Sequence, residues 1–254
     1  MKGDSMSRIE INRIGNIPEA GAAPVSEKEI LENSCDRLKI TRCILKAGTS
    51  WNPEKYAYGK GIQIFVMLNA TGYIYTDTQT FNVTEPSIFV PNFDRENFCI
   101  CAGGKDQEII RIAGNFSERD SIEIGKSHLM FPRFRLLSAG WEHTTRETIK
   151  EGANVRAFVL IENRKLGSYN MGHYMTGSEG VSSDFCDNCL PTYDQWCIGV
   201  NNADFTVTVN GETEKVGSGD MAFIPRGSHY SYSSTPEGKL DMIWFMLNRA
   251  HDNV

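Results

Sequence analysis

Residues 205–227, Phe-Thr-Val-Thr-Val-Asn-Gly-Glu-Thr-Glu-Lys-Val-Gly-Ser-Gly-Asp-Met-Ala-Phe-Ile-Pro-Arg-Gly, contain the strongest structural signals of the chain. Apolar residues alternate with threonines before Asn210-Gly211, a pair typical of a two-residue β-hairpin. A second turn at Gly219-Asp220 precedes the apolar run Met221–Ile224, and Pro225 with Gly227 favours a turn after that run. The stretch therefore predicts a hairpin followed by a third strand that ends in a tight turn.

The same pattern of short apolar runs separated by turn residues continues through most of the chain. The predicted strands are Leu38–Leu45, Ile62–Leu68, Gly72–Thr76, Ser87–Val90, Phe98–Cys101, Glu108–Ile112, Val155–Glu162, Ser168–Met175, Trp196–Val200, Phe205–Val209, Met221–Ile224 and Leu240–Leu247. Many short strands at even spacing are typical of a sandwich or barrel, in which closure removes exposed strand edges. We therefore predict an all-β protein.

The second half of the chain weakly repeats the first at an offset of roughly 133 residues. Phe89-Val90-Pro91 corresponds to Phe223-Ile224-Pro225, and each triplet ends a predicted strand. Each half has the size of an ordinary small domain, so we predict two β-domains in tandem. The predicted boundaries are 1–35 for an N-terminal arm with a short helix, 36–117 for the first barrel, 118–153 for a connection, 154–248 for the second barrel and 249–254 for a tail.

Residues 26–33 carry the main helical signal of the chain. Ser26 with Glu29 three residues later has the capping-box pattern, which predicts a short helix that ends near Asn33. The residues before Ser26 are polar and include Gly, Pro and Ala, so we predict a loose arm there.

The charge balance excludes several classes of function. The 254-residue chain has 26 Lys and Arg against 32 Asp and Glu, a formal net charge of −6, and lacks the basic face that nucleic-acid binding needs. No apolar run reaches the roughly 18 residues of a membrane span, and the first residues lack the apolar segment of a secretory signal. Seven cysteines are an odd number. We expect reduced thiols in a cytoplasmic protein without nucleic-acid or membrane partners.

Residues 184–247 resemble the second half of a cupin barrel. In that family a hairpin leads to a Gly-Asp pair, a strand and a Pro-x-Gly turn, as Gly219-Asp220 and Pro225-Arg226-Gly227 do here. Asp194–Ile198 is similar to the segment that follows the first metal motif of the family, and residues 40–112 resemble a cupin barrel through the duplicated pattern. The resemblance implies a bicupin, with two tandem jelly-roll barrels, and a homodimer, since many bicupins form dimers.

Metal-binding cupins carry a His-x-His pair, a later Glu and a further His after Pro-x-Gly. The corresponding positions here hold Asp187 and Cys189, then Asp194, and then His229, which comes one residue early. Adjacent strand residues point to opposite faces, so this shift would turn His229 away from the cavity unless a bulge corrects it. The resemblance implies either one divalent transition metal on these four residues or polar cavity residues that bind none.

The first half offers a poorer set of ligands. No His lies between Ala47 and Leu68, and Lys55, Gln63 and Phe93 are poor ligands for a metal. We expect no metal in the first barrel and a structural role for it, as a packing partner of the second.

Cys186 and Cys189 also have the Cys-x-x-Cys spacing of zinc and redox sites. A structural zinc needs two further ligands, and Cys197 is the only other cysteine close in sequence. Buried thiols are the alternative interpretation.

His173 and several aromatic residues are candidates for a pocket in the second barrel. His173 lies on the predicted strand that lines the cavity in cupins, so it and Asp194 are candidate acid–base groups, with an ordinary hydrogen-bonded strand His as the alternative. Side chains with polar tips suit a small-molecule pocket, although barrel cores contain them too. The predicted ligand-binding residues are Tyr193, Gln195, Trp196, Tyr230 and Tyr232.

These features together predict that the second barrel binds a small polar organic molecule. If the protein is an enzyme, the resemblance implies an isomerase, lyase, amidohydrolase or oxygenase acting on a small acid or sugar-like substrate. The missing His pair favours a second hypothesis, a metal-free barrel for sensing or storage. A third hypothesis is an interaction module that uses the barrel surface.

Overall fold

The computed structural model describes residues 9–15, 23–143, 155–176, 186–189, 192–235 and 237–250. Numbered in chain order, the strands are β1 (Glu10–Asn12), β2 (Val25–Ile30), β3 (Leu38–Leu45), β4 (Ser50–Trp51), β5 (Gly61–Met67), β6 (Tyr73–Thr76), β7 (Thr80–Asn82), β8 (Ser87–Val90), β9 (Phe98–Cys101), β10 (Gln107–Asn115), β11 (Arg133–Leu136), β12 (Trp141–Glu142), β13 (Val155–Leu166), β14 (Tyr169–Thr176), β15 (Cys186–Cys189), β16 (Tyr193–Gly199), β17 (Asp204–Val209), β18 (Glu212–Gly217), β19 (Met221–Ile224), β20 (His229–Ser233) and β21 (Asp241–Asn248). The prediction of an all-β fold is confirmed. Within these ranges no helix has the length and apolar character needed to cross a membrane.

The chain divides into two compact units. The first comprises Gly15–Gly140 with Asn163–Gly167, and the second comprises Met1–Ile14, Trp141–Glu162 and Ser168–Val254.

The first unit contains two antiparallel sheets. A six-stranded sheet has the order β11-β8-β5-β10-β3-β2, and a four-stranded sheet has the order β4-β9-β6-β7. Apolar side chains of both sheets form one core, which includes Leu45, Phe65 and Ile109 from the larger sheet and Ile74 and Ile100 from the smaller one. This unit is therefore a sandwich of two sheets around a single core.

The second unit repeats this plan. Its seven-stranded sheet has the order β1-β19-β16-β21-β14-β13-β12, and its four-stranded sheet has the order β15-β20-β17-β18. A core cluster joins Cys197, Ala222 and Met242 of the larger sheet to Phe205 and Tyr232 of the smaller one. The side of the seven-stranded sheet that carries this cluster is called its interior face below.

The helix predicted at residues 26–33 is wrong. Val25–Ile30 is strand β2, which pairs with β3 and places Ile30 opposite Ile40. A helix this short is marginal by itself, and the ladder to β3 satisfies the backbone while it buries Ile30. The structure instead has one α-helix in its described part, α1 (Glu118–Lys126), with its own capping box between Ser117 and Asp120.

The prediction of a loose N-terminal arm is wrong for residues 9–15. Strand β1 pairs with β19, with Ile11 opposite Ala222. The backbone N–H of Ile14 donates to Asp220 Oδ1 at 2.8 Å, and Arg13 lies 3.1 Å from the other carboxylate oxygen. The Gly-Asp turn identified in the sequence therefore also fixes the N-terminal strand.

The hairpin predicted at Asn210-Gly211 is confirmed. Strands β17 and β18 pair up to Val209 and Glu212, which leaves a two-residue turn. Asn210 and Gly211 have φ angles of 50° and 87°, the left-handed values that a type I′ turn needs at both central positions.

Candidate ligand pocket in the second unit

Strand β21 runs through the middle of the seven-stranded sheet, between β14 and β16. Its residues on the face opposite the interior are completely buried: Ile243, Phe245 and Leu247, each 0% exposed. Its later residues on the interior face are only partly buried: Trp244, Met246 and Asn248. Since both flanks of β21 are hydrogen-bonded to neighbouring strands, this exposure shows that solvent reaches the interior face over these three residues. We call this solvent-accessible region the pocket.

Gln195 places a buried polar group beside the pocket. It lies on the interior face, opposite Met246 on one side and Ile224 on the other, and is 1% exposed. Its Nε2 donates to the hydroxyl of Tyr232. Its Oε1 is buried and has no hydrogen-bond partner among the described residues. The bond to Tyr232 holds the Gln195 side chain in place and, in this arrangement, leaves one acceptor unused.

Trp244 supplies a complementary donor. Its indole Nε1 is buried and, in the described part of the chain, also has no partner. The ring lies across Gly172, where an added Cβ would be 2.1 Å from Trp244 Cζ2. A buried polar group without a partner costs about 1–3 kcal/mol, so both orphaned atoms are suited to bonding a guest molecule.

The predicted aromatic residues divide between the two faces. Tyr193 lies on the interior face and its hydroxyl accepts a hydrogen bond from Asn248 Nδ2 at 3.1 Å. Tyr230 and Tyr232 are buried in the core cluster, with ring centroids 5.5 Å apart. Trp196 instead lies on the opposite face, because strand residues alternate, and it packs against Phe223 and Phe245.

His229 points away from the pocket. Its neighbours in β20, Tyr230 and Tyr232, are buried, whereas His229 is exposed. The ladder to β17 pairs Tyr230 with Val209 and continues without a bulge, so nothing corrects the one-residue shift seen in the sequence.

Asp194 also lies on the face opposite the pocket, in the register position next to Leu247. Its Oδ1 accepts from the backbone N–H of Arg226 at 3.0 Å, and Arg249 Nη1 lies 3.3 Å from its Oδ2. These bonds tie the turn after β19 and the residues after β21 to β16. The geometry gives Asp194 a structural role.

His173 lies on β14, as predicted, but on the face opposite the interior. Its ring stacks on Phe158 at 5.7 Å, and its Nε2 is 2.7 Å from Asp241 Oδ1. Asp241 is itself buried and lies 2.7 Å from Lys239 Nζ. Alternation places Gly172 and Tyr174, the residues on either side of His173, on the pocket side. The expectation that His173 lines the cavity fails for this reason.

Asp187 and Cys189 lie on β15, which pairs with β20. Asp187 is opposite Ser231 and Cys189 is opposite His229 in this ladder. Their side chains, like that of Cys186 in the Cys-x-x-Cys motif, lie outside the described part of the structure.

The described donor groups do not fit a divalent metal. His229, Asp194 and His173 have their side chains away from the pocket, and no group of three or more His, Cys, Asp or Glu side chains among the described residues could hold a metal ion. A stable site for such a metal normally needs three or four protein ligands. The pocket, as far as it is described, is lined by neutral side chains.

Comparison with known proteins identifies the fold. No family model matches the chain, and no curated protein matches it. A cupin 2 conserved barrel domain protein from Leptotrichia buccalis matches 94% of this chain and 96% of its own, with a TM-score of 0.60 and 13% identity. Oxalate decarboxylase from Lactobacillus farciminis, solved as a formate complex, matches 96% of this chain and 87% of its own, with a TM-score of 0.63 and 10% identity. The chain has the bicupin fold.

A third solved structure also matches most of the chain. The putative glyoxylate induced protein from Pseudomonas aeruginosa aligns with 91% of this chain and 83% of its own, with a TM-score of 0.70 at 9% identity. The resemblance found in the sequence, to cupins with two tandem barrels, is therefore confirmed as a fold. Identities this low carry no substrate or reaction from these proteins to this bicupin.

Sequence reasoning missed part of the wall of the second cupin barrel. Trp244 and Met246 lie in a run that is apolar on both faces, so no alternation marked the pocket side. Asn170 lies opposite Met246 on the interior face and was also missed. Gly172 could have indicated this side of the strand, because a glycine inside a strand often marks the close approach of another group.

Cys197 provides a chemical test of the packing at the pocket base. It is opposite Trp244 in the ladder and 0% exposed, and burial raises the pKa of its thiol to about 12. A protonated, buried thiol is a poor nucleophile. We expect iodoacetamide at pH 8 to leave Cys197 unmodified in the native protein and to modify it in urea, as measured by peptide mass spectrometry. Rapid modification of the native protein would show that the pocket extends beneath Trp244.

Proposed function

We propose that the second cupin barrel binds a small polar organic molecule between its two sheets. The observation that carries the proposal is the partial exposure of Trp244, Met246 and Asn248 on the interior face of a central strand. The proposal makes this protein a ligand-binding bicupin, of the kind used for sensing or storage.

The unused hydrogen-bonding atoms support this proposal. Gln195 Oε1 and Trp244 Nε1 are both buried without partners in the described structure. A ligand that bonds both would recover the roughly 1–3 kcal/mol that each unpaired atom costs.

The surrounding side chains are suited to hold such a molecule in one orientation. Tyr232 fixes the Gln195 amide, so its acceptor is preorganised. Met246 and Tyr193, both partly exposed, offer apolar surface for a carbon skeleton, as in most small-molecule pockets. A side chain that is already held in its binding position loses little conformational freedom when the ligand binds, which limits the entropic cost of binding.

Binding without a divalent metal is favoured by where the candidate ligands point. His229 faces solvent, and Asp194 is engaged by Arg249 and the Arg226 backbone. A transition metal retained near one-to-one by the purified protein, and lost in the Asp194→Ala variant, would contradict this part of the proposal. Elemental analysis of the full chain makes that measurement.

Gln195→Leu tests the pocket directly. A metabolite panel is screened by thermal shift on the full-length protein, and the Kd of each hit is measured by calorimetry. Loss of the Gln195 acceptor is expected to weaken binding by roughly 5- to 150-fold, the equivalent of about 1–3 kcal/mol.

His229→Ala is the matched control, because its side chain lies on the outer side of the same barrel. We expect it to bind like the wild type. The proposal fails if no compound in the panel shifts the melting temperature, or if Gln195→Leu and His229→Ala bind every hit with wild-type affinity.

A further inference from the structure

The geometry points to an uncharged ligand that bears hydroxyl or amide groups, in preference to a carboxylate or phosphate. This inference rests on the proposed function and names the chemical class that the same pocket selects. It sets this protein apart from a barrel built for a small organic acid.

The first argument is that seven strands of the second unit carry no cationic residue, and these include β14, β16 and β21, which bear the residues of the pocket. The sequence from Leu166 to Glu214 contains no Lys or Arg, and it includes β14, β15, β16 and β17. Strands β19, β20 and β21 contain none either. An anion in the pocket would therefore find no cation to pair with on these seven strands.

Three basic groups near these strands are paired with carboxylates. Arg249 pairs with Asp194, and Lys239 pairs with Asp241, in both cases on carboxylates of the face opposite the pocket. Arg13 pairs with Glu214 in β18 and with Asp220 in the following turn. Moving an anion from water into a space whose adjoining strands carry no cation is unfavourable, whereas a neutral molecule carries a much smaller desolvation cost.

The second argument is hydrogen-bond complementarity. Gln195 Oε1 can only accept, so the ligand atom that meets it must donate. A carboxylate has no donor, and it would place its oxygen against the Gln195 oxygen. Trp244 Nε1 can only donate, so the ligand must also accept. A hydroxyl or a primary amide meets both requirements.

Pairs of probes with the same carbon skeleton test the inference. Glycolamide is compared with glycolate, lactamide with lactate, and glucose with gluconate. Each probe is titrated into the full-length protein at neutral pH, and binding is followed by changes in NMR chemical shifts. We expect the neutral member to bind at least about tenfold more tightly than its acid, because only the acid has to leave its hydration without a counter-ion.

Two variants connect that preference to the named atoms. Trp244→Phe removes the indole donor with little change of shape, and Gln195→Leu removes the acceptor. Each is expected to weaken the neutral probe, while His229→Ala is not. Gln195→Lys introduces a cation and is expected to shift the binding preference toward the acid. If Gln195→Lys does not fold, the result for Trp244→Phe still tests the inference.

The outcomes separate the two proposals. If the acids bind more tightly and Gln195→Leu weakens them, the pocket stands and the neutral class is overturned. Preference for the neutral probes with no effect of Trp244→Phe or Gln195→Leu would overturn the assignment of these atoms. If no probe of either kind binds, both the pocket and its selectivity are overturned.

Discussion

Replacing Asp241 with alanine is expected to lower the free energy of unfolding by about 1–3 kcal/mol, the usual cost of leaving a buried hydrogen-bonding group without its partner. Asp241 is 1% exposed and accepts hydrogen bonds from His173 at 2.7 Å and Lys239 at 2.7 Å. Its loss leaves His173 buried with neither ring nitrogen bonded to a described residue, since Nδ1 already has no partner there. Urea denaturation followed by circular dichroism measures the change.

Asp204→Ala is the control for this prediction, because Asp204 is exposed at the start of β17 in the same unit. It should change stability by no more than about 0.5 kcal/mol. The double variant His173→Ala/Asp241→Ala should cost less than the sum of the single changes, because the two residues form one bonded pair. Equal losses from Asp204→Ala and Asp241→Ala would contradict the role given to the buried pair.

A single methyl group at Gly172 is expected to abolish ligand binding and to cost about 1–3 kcal/mol of stability. The added Cβ would lie 2.1 Å from Trp244 Cζ2 and 2.4 Å from the backbone oxygen of Phe158. The indole can move aside, but the carbonyl belongs to the neighbouring strand and cannot. Gly172→Ala therefore has to displace both β14 and the tryptophan that lines the pocket, which indole fluorescence and ligand titration would detect.

Gly211→Ala is the matched variant for this second prediction. It adds the same methyl group at a hairpin residue with φ of 87° and open space around it. Only backbone strain is expected there, about 1 kcal/mol, with binding unchanged. If Gly172→Ala bound the ligand with wild-type affinity, ligand binding would not depend on the position of the Trp244 ring over Gly172, and the prediction would be contradicted.

The turns and strands of the second barrel were the most predictable part of the molecule. Asn210-Gly211 and Pro225-x-Gly227 carry local signals that the strands around them reinforce, so local and global preferences agree. The segment 26–33 shows the opposite case. Its capping box would stabilise only a very short helix, which is marginal by itself. The segment instead forms a strand, because pairing with β3 places Ile30 opposite Ile40.

The candidate site was predictable as a region but not residue by residue. Gln195 and Tyr232 were identified from their position near the cupin-like motif, and the structure brings them together. Asp194 and His173 were placed in the cavity because their chemistry is suitable, yet each is one residue out of phase with a pocket residue. Which of the two alternating sets of side chains faces the interior depends on how the strand packs against its neighbours. A run such as Leu240–Leu247 is apolar on both faces, so its sequence does not indicate which set faces the interior.

Strand β1 has a consequence for any attempt to work with half of this protein. The chain's first strand forms the border of a sheet whose other members come more than a hundred residues later in the sequence. A fragment that starts at residue 154 would leave Met221–Phe223 with an open row of amide and carbonyl groups, a template for pairing with other molecules. Such a fragment should aggregate unless a peptide spanning Glu10–Asn12 is supplied alongside it.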